Sequence, residues 1–253
     1  MTVLYSAVGA SDVTGIGSSS PCLLADCPGG KGYVFVAANQ LRAQGYAVTV
    51  ANLGIPAGVI SPRLQALGQQ YGGFIPGNFI SNEMNSVQTN ATLVTVFAGP
   101  NDVGAIIDAV ESGAGGSDRN GYLDQQIAAF RTDYATLLDG IRARAPSARI
   151  VVFNLPNFAG VPLFVTASSS VRQAAQRLSV GITGTVVNPL VGQGISVIDL
   201  MCDLRFYQAS TFSSDGFHPN DTGYRYLADE VVRAFTSSYP APQASCPPMA
   251  LVN

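Results

Sequence analysis

The chain has 253 residues, enough to bury the core of one large α/β domain, with only 11% charged residues and a net charge of −3 at pH 7. That balance supplies no basic field for a nucleic acid, so none is expected as a partner. Mean hydropathy is +0.25, yet no apolar run approaches the ~20 residues of a membrane-spanning helix, so no integral membrane contact is expected.

Short β-branched runs alternate along the chain with segments of helical period. Strands are predicted at residues 3–8, 47–51, 92–97, 149–154 and 195–199. The first helix places Val34, Ala38 and Leu41 on one face. A long one does the same with Leu123, Ile127, Phe130, Tyr134, Leu137 and Ile141, in steps of three and four, and ends before Pro146. Another follows Ser168 to Ser170 with Val171, Ala175, Leu178 and Ile182 on its stripe. The last carries Tyr224, Leu227, Val231 and Phe235, with Asp221 placed to cap it.

Strands that alternate with helices imply right-handed crossovers and a parallel sheet covered on both faces. The expected architecture is therefore a three-layer αβα sandwich with about five parallel strands. No linker divides the chain, so residues 1–253 are read as one domain, with a Pro-rich tail at 239–253.

Of the four cysteines, Cys22 and Cys27 flank a short loop, and Cys246 lies in that tail. Their spacing does not suit a zinc site. Two disulfides are favoured, Cys22 with Cys27 and Cys202 with Cys246, and with them an exported protein; four free thiols in a cytoplasmic protein is the alternative. Residues 2–8 read directly as a strand and not as a signal peptide, so an exported protein would be in its mature form.

In a parallel sheet the ligand crevice lies at the carboxyl ends of the strands. The segments that follow those ends are Gly9-Ala10-Ser11-Asp12, Asn52-Leu53-Gly54-Ile55-Pro56-Ala57-Gly58, Gly99-Pro100-Asn101-Asp102 and, beyond the fifth strand, Asp215-Gly216-Phe217-His218. The chain's only histidine, His218, stands three residues after Asp215, so the carboxylate can reach one ring nitrogen while the other faces outward. Ser11, after a strand and a glycine turn, can present its hydroxyl at the same rim. Asn101 can offer a side-chain N–H to a developing oxyanion. Taken singly, each residue is as readily a turn former or a cap.

Together these segments resemble the SGNH hydrolases, the GDSL esterases and lipases. Gly99-Pro100-Asn101-Asp102 and Asp215-Gly216-Phe217-His218 match the family's third and last blocks in full, and the order of the blocks fits over nearly the whole chain. The first two blocks depart from the pattern. Gly9-Ala10-Ser11-Asp12 stands where the family has Gly-Asp-Ser-Leu, which leaves open what supports the turn. The position of the second-block glycine falls on Ala57, with Gly58 next and Gly54 nearer the strand end.

The resemblance implies a flavodoxin-like fold and a serine-dependent carboxylic ester hydrolase without metal or organic cofactor. It implies Ser11 as nucleophile, His218 as base and Asp215 as its orienting acid. The oxyanion hole would come from the N–H groups of Ser11 and of Ala57 or Gly58, plus the amide of Asn101.

The expected substrate is a small-molecule or lipid-like ester with a short to medium acyl chain, and a monomer is the favoured state. Apolar side chains in two loops are candidates for the acyl pocket: Phe74, Ile75, Phe79 and Ile80, then Phe158, Val161, Leu163 and Phe164. Rival readings are a carbohydrate acetylesterase or a noncatalytic carbohydrate-binding module on the same scaffold. The glycines from Gly15 to Gly17 form no dinucleotide fingerprint, and with Lys31 as the single lysine a Tyr-x-x-x-Lys pair is impossible.

Overall fold

A computed structural model describes residues 1–23 and 25–252. Five strands, β1 (Thr2–Gly9), β2 (Ala47–Asn52), β3 (Leu93–Phe97), β4 (Arg149–Phe153) and β5 (Ser196–Ile198), form one parallel sheet in the order β2-β1-β3-β4-β5. This is the flavodoxin-like arrangement, in which the chain works outward in both directions from β1 and β3. All five expected strands are present, with no end differing by more than one residue. β3 is buried at every position, as expected of a strand covered on both faces, and its one polar residue, Thr95, is hydrogen-bonded with the hydroxyls of Tyr5 and Tyr33.

The helices are α1 (Ser11–Thr14), α2 (Tyr33–Ala43), α3 (Pro62–Gln70), α4 (Pro100–Glu111), α5 (Arg119–Arg144), α6 (Ser169–Ile182) and α7 (Asp221–Thr236). On one side α2 packs against α7, and α7 also touches β4 and β5; on the other α3 packs on α4, and α6 on both α4 and α5. The predicted stripe of α5 is the stripe that is buried. Its helical pattern stops at Ala145, since Pro146 cannot continue it.

Three local features differ from the sequence reading. α3 was not anticipated, although Ser61, whose hydroxyl accepts from the Leu64 N–H, and Pro62 mark its start. α4 begins within the segment read as a turn, so Asn101 lies in its first helical turn. α7 is capped by Asn220, which accepts from the N–H groups of Thr222 and Gly223. Asp221, the expected cap, instead accepts from the backbone and hydroxyl of Ser19, which ties α7 to the loop after α1.

Cys22 is bonded to Cys27, and Cys202 to Cys246, the two pairs favoured from the sequence. The second holds the C-terminal tail, which Asn157 and Gln176 also grip through Pro248 and Val252. Asn253, the last residue of that predicted tail, lies outside the described residues. Among the described residues no helix is long and apolar enough to cross a membrane.

Candidate active site

The site begins where β1 runs out. Gly9 pairs with Phe97 of β3 and has a φ of 151°; a Cβ there would collide with the Phe97 carbonyl and the Val13 side chain. That bend delivers Ser11 as the first residue of α1, buried, with its Oγ 2.8 Å from Nε2 of His218. On the other side of the ring, Nδ1 lies 2.6 Å from Oδ2 of Asp215. The second carboxylate oxygen accepts from the N–H groups of Phe217 and His218 at 2.8 and 2.9 Å. Asp215 thus holds both the ring and the turn that carries it.

Burial alone would raise the Asp215 carboxyl, but the hydrogen bonds from the His218 ring and from these N–H groups bring it down to about 2. An ionised Asp215 assigns the ring proton to Nδ1, which donates to it. Nε2 is then left with a lone pair to accept the Ser11 hydroxyl. Gly17 supports the arrangement from below: its φ of 95° brings backbone where a Cβ would meet the Cβ of His218.

The second rim segment contains Ala57, the one non-glycine residue with positive φ (61°) among the described residues. That conformation costs an L-residue roughly 1–2 kcal/mol, and the hydrogen bonds around it hold it in place. Gly58 N–H donates to the Ile55 carbonyl at 2.8 Å, and Nδ2 of Asn101 donates to the Gly58 carbonyl at 2.9 Å. Gly54 N–H is engaged by Oδ1 of Asn52. Of the three second-block candidates, only Ala57 has an N–H without a partner among the described residues. The Ser11 N–H and the second amide hydrogen of Asn101 are likewise unengaged there.

Three buried carboxyls around the site escaped the sequence reading of roles. Asp102 accepts from Ile60 N–H at 2.8 Å and Gly99 N–H at 3.0 Å, joining the segment after β2 to the start of α4. Burial pushes it up to about 7 against the pull of those two N–H groups. Its signal was its place three residues after the capping glycine of α4, where an acid reaches back to the cap.

Glu83 ends the π-helical turn Phe79–Glu83 and accepts from Gly9 N–H at 2.7 Å; burial raises it well above the usual carboxylate range. It supplies the support at the Ser11 turn for which Ala10 has no side-chain group. No sequence pattern marked it, because the contact spans 74 residues. Asp12, raised by burial and pulled down by His218, lines a cramped cavity of ≈ 30 Å³ with Phe97, Phe158, Phe212 and Phe217.

Beside Ala57 and Asn101 opens a groove of ≈ 250 Å³. Of the eight apolar residues proposed for an acyl pocket, Phe74, Ile75, Leu163 and Phe164 line it. Phe79, Phe158 and Val161 are buried in the core, and Ile80 packs against it. Among the described residues no group of three or more His, Cys, Asp or Glu is arranged to hold a metal ion.

No curated protein sequence matches the chain. Solved structures similar to it include an extracellular lipase from Streptomyces rimosus, at 19% identity and a TM-score of 0.61 over 92% of this chain and 100% of that one. The lipase Lip_vut3 from a goat rumen metagenome aligns at 18% identity and a TM-score of 0.62, over 96% of this chain and 100% of the other. A family 3 carbohydrate esterase from Clostridium thermocellum aligns at 16% and 0.54, over 93% and 96% of the two chains. At these identities the likeness establishes a common fold. The sequence itself matches the model of the GDSL-like lipase/acylhydrolase family over residues 7–226, and the chain belongs to that family.

Proposed function

We propose that this protein is a serine-dependent carboxylic ester hydrolase acting on short- to medium-chain acyl esters. The observation that carries the reading is the unbroken hydrogen-bonded row from Ser11 Oγ through the His218 ring to the Asp215 carboxylate. Three N–H groups without a partner among the described residues lie on Ser11, Ala57 and Asn101, in the segments that follow β1, β2 and β3.

In the proposed reaction, Ser11 Oγ bonds to the ester carbonyl carbon while its proton passes to Nε2 of His218. The carbonyl π pair moves onto oxygen, where the N–H groups of Ser11 and Ala57 and the amide of Asn101 receive the charge. Collapse breaks the bond to the alcohol oxygen, which takes the proton from Nε2. Water then attacks the acyl-serine by the same route, gives its proton to His218, and releases the acid as the proton returns to Ser11. Asp215 stays ionised throughout and compensates the imidazolium.

The apolar lining of the groove supports a hydrocarbon acyl group over a bare acetyl on a sugar chain. Two disulfides support an oxidising, extracytoplasmic location. The reading is tested by treating the protein with a fluorophosphonate and measuring intact mass, alongside hydrolysis of p-nitrophenyl acetate and butyrate. One adduct, absent in Ser11→Ala, is expected together with ester turnover. A folded wild-type protein that takes no adduct would sink the proposal.

A further inference from the structure

Six glycines lie inside α-helices, and five of them have a packing reason to be there. A Cβ on Gly68 would meet Ile75, on Gly121 Asp118, on Gly140 Met84, on Gly181 Ile127, and on Gly223 the Thr211 carbonyl. The sixth, Gly104 in α4, has ordinary helical backbone, and a Cβ built on it meets nothing within 4 Å. Glycine inside a helix is disfavoured relative to alanine. Neither backbone nor packing asks for glycine at this position, so the empty space in front of it needs another explanation.

That space is the groove beside the oxyanion residues. Asn101, Gly104 and Asp108 follow one another at steps of three and four along α4, so they share one helix face, and all three line the groove. Ile75 and Phe164 are among its apolar walls. Asp108 is exposed, ~10 Å along the helix from Asn101 at 1.5 Å per residue. A groove of ≈ 250 Å³ falls below the range of pockets that hold drug-sized ligands, which suits a single chain.

The geometry points to Gly104 as the residue that sets acyl-chain length: it keeps open the floor of a channel for one medium-length saturated acyl chain, butyryl to octanoyl, closed at its far end by the Asp108 carboxylate. This rests on the hydrolase reading. In that reading the leaving oxygen must reach Nε2 of His218 and the carbonyl oxygen must face Asn101. The channel is lined at this end by Ala57 and Asn101, the proposed donors to the carbonyl oxygen, and by Phe217 beside His218; the acyl substituent is the group assigned to it, and the alcohol series tests that assignment.

The test measures kcat/KM for p-nitrophenyl esters from acetyl to dodecanoyl, and for acetate esters of increasing alcohol length, in wild type and in Gly104→Ala, Gly104→Val and Gly104→Leu. In wild type, kcat/KM rises about fourfold per methylene buried in the channel, then levels off beyond octanoyl. In Gly104→Leu the octanoyl-to-acetyl ratio falls about 15-fold, the contribution of two methylenes, with Gly104→Ala and Gly104→Val in between. Gly104→Ala raises Tm by about 2–4 °C, which separates filling of the channel from loss of fold.

A flat acyl profile in a wild type that still hydrolyses esters overturns the channel and leaves the hydrolase reading standing. An unchanged octanoyl-to-acetyl ratio in folded Gly104→Val and Gly104→Leu overturns the role of Gly104, as does a length dependence found only in the alcohol series. A wild type that turns over no ester removes both readings together.

Discussion

Replacing Asn101 with alanine separates two functions that its single amide performs. One hydrogen on Nδ2 is donated to the Gly58 carbonyl at 2.9 Å, and the other is unengaged among the described residues. Loss of the first removes one partly buried hydrogen bond, worth ~1 kcal/mol, which for a chain of this size lowers Tm by about 2–4 °C. Loss of the second removes one of three proposed oxyanion donors, which elsewhere costs on the order of 10² to 10³ in kcat. The upper part of that range is expected here. The Gly58 bond also steadies Ala57 at its positive φ, so a second donor is loosened when the first is deleted.

The measurement is steady-state hydrolysis of p-nitrophenyl butyrate well below the lower Tm, with a thermal melt of both proteins. KM should stay within about threefold of wild type, since the bond to the oxyanion strengthens only as charge develops. Asn101→Asp keeps the size and sets an anion against the oxyanion, so it should be at least as damaging. A kcat within tenfold of wild type, accompanied by the expected drop in Tm, would reduce Asn101 to a tether and refute the argument.

Other consequences follow from the same geometry. With no second histidine available, His218→Ala should lower kcat by a factor on the order of 10⁴ or more with Tm nearly unchanged; turnover near wild type would remove the base from the mechanism. Asp102, pushed up to about 7 by burial, holds a proton in the fold that an unfolded chain loses near pH 4, so its contribution to stability should fall as pH rises from about 4 to 7, by up to ~1.4 kcal/mol per pH unit; Glu83 and Asp12, also raised by burial, act in the same direction. Asp215, depressed to about 2, stabilises above pH ~4, and that contribution is lost as pH falls towards 2. Tm should therefore peak near pH 4–5, and a higher Tm at pH 8 than at pH 5 would contradict the assignment of buried neutral carboxyls. Removing the Cys202–Cys246 bond, which closes 44 residues, should cost about 4 kcal/mol, against about 2 for the five-residue Cys22–Cys27 loop; urea unfolding of the two double serine variants measures the difference.

The sheet was legible because its strands are short β-branched runs bounded by turn residues, with β1, β3 and β4 mostly buried and only a few polar positions such as Ser6 and Thr95 inside them. The rim followed from it, since a parallel sheet sends what comes after each strand to the same edge. Ser11, Asn101, Asp215 and His218 were named on that basis, and the structure brings Ser11, His218 and Asp215 into one hydrogen-bonded row. Asn101 lines a groove together with Ala57 and with Phe217, the neighbour of His218. What the sequence hid has local or distant causes. α4 starts with Gly99-Pro100-Asn101-Asp102, residue types shared with turns, so its onset looked like a loop. The partner of Gly9 N–H comes from position 83, and no periodicity reports a contact across that separation. The choice between Ala57 and Gly58 needed the destination of each N–H, which is a property of folded backbone.

The two departures from the family pattern, Ala10 and Ala57, have different physical remedies. At the first, the missing acid is replaced from elsewhere: Glu83 reaches the Gly9 N–H from the far side of the turn, buried and raised well above the usual range. Burial favours the protonated form of Glu83, which lessens the negative charge placed beside Ser11 while still accepting that hydrogen bond. At the second, nothing replaces glycine's freedom; the fold imposes the conformation on alanine and holds it with the Gly58–Ile55 and Asn101–Gly58 bonds. Asp102 then clamps Ile60, beyond that loop, to Gly99 at the head of α4. The strained residue is thus bracketed on its carboxyl side by contacts to the helix that carries Asn101. Strain persists only where its surroundings over-determine it, and here the bracketing contacts lead to Asn101. The same bonds that hold Ala57 at positive φ set the distance between its N–H and the amide of Asn101, so the two proposed oxyanion donors are one rigid unit and should respond to mutation together.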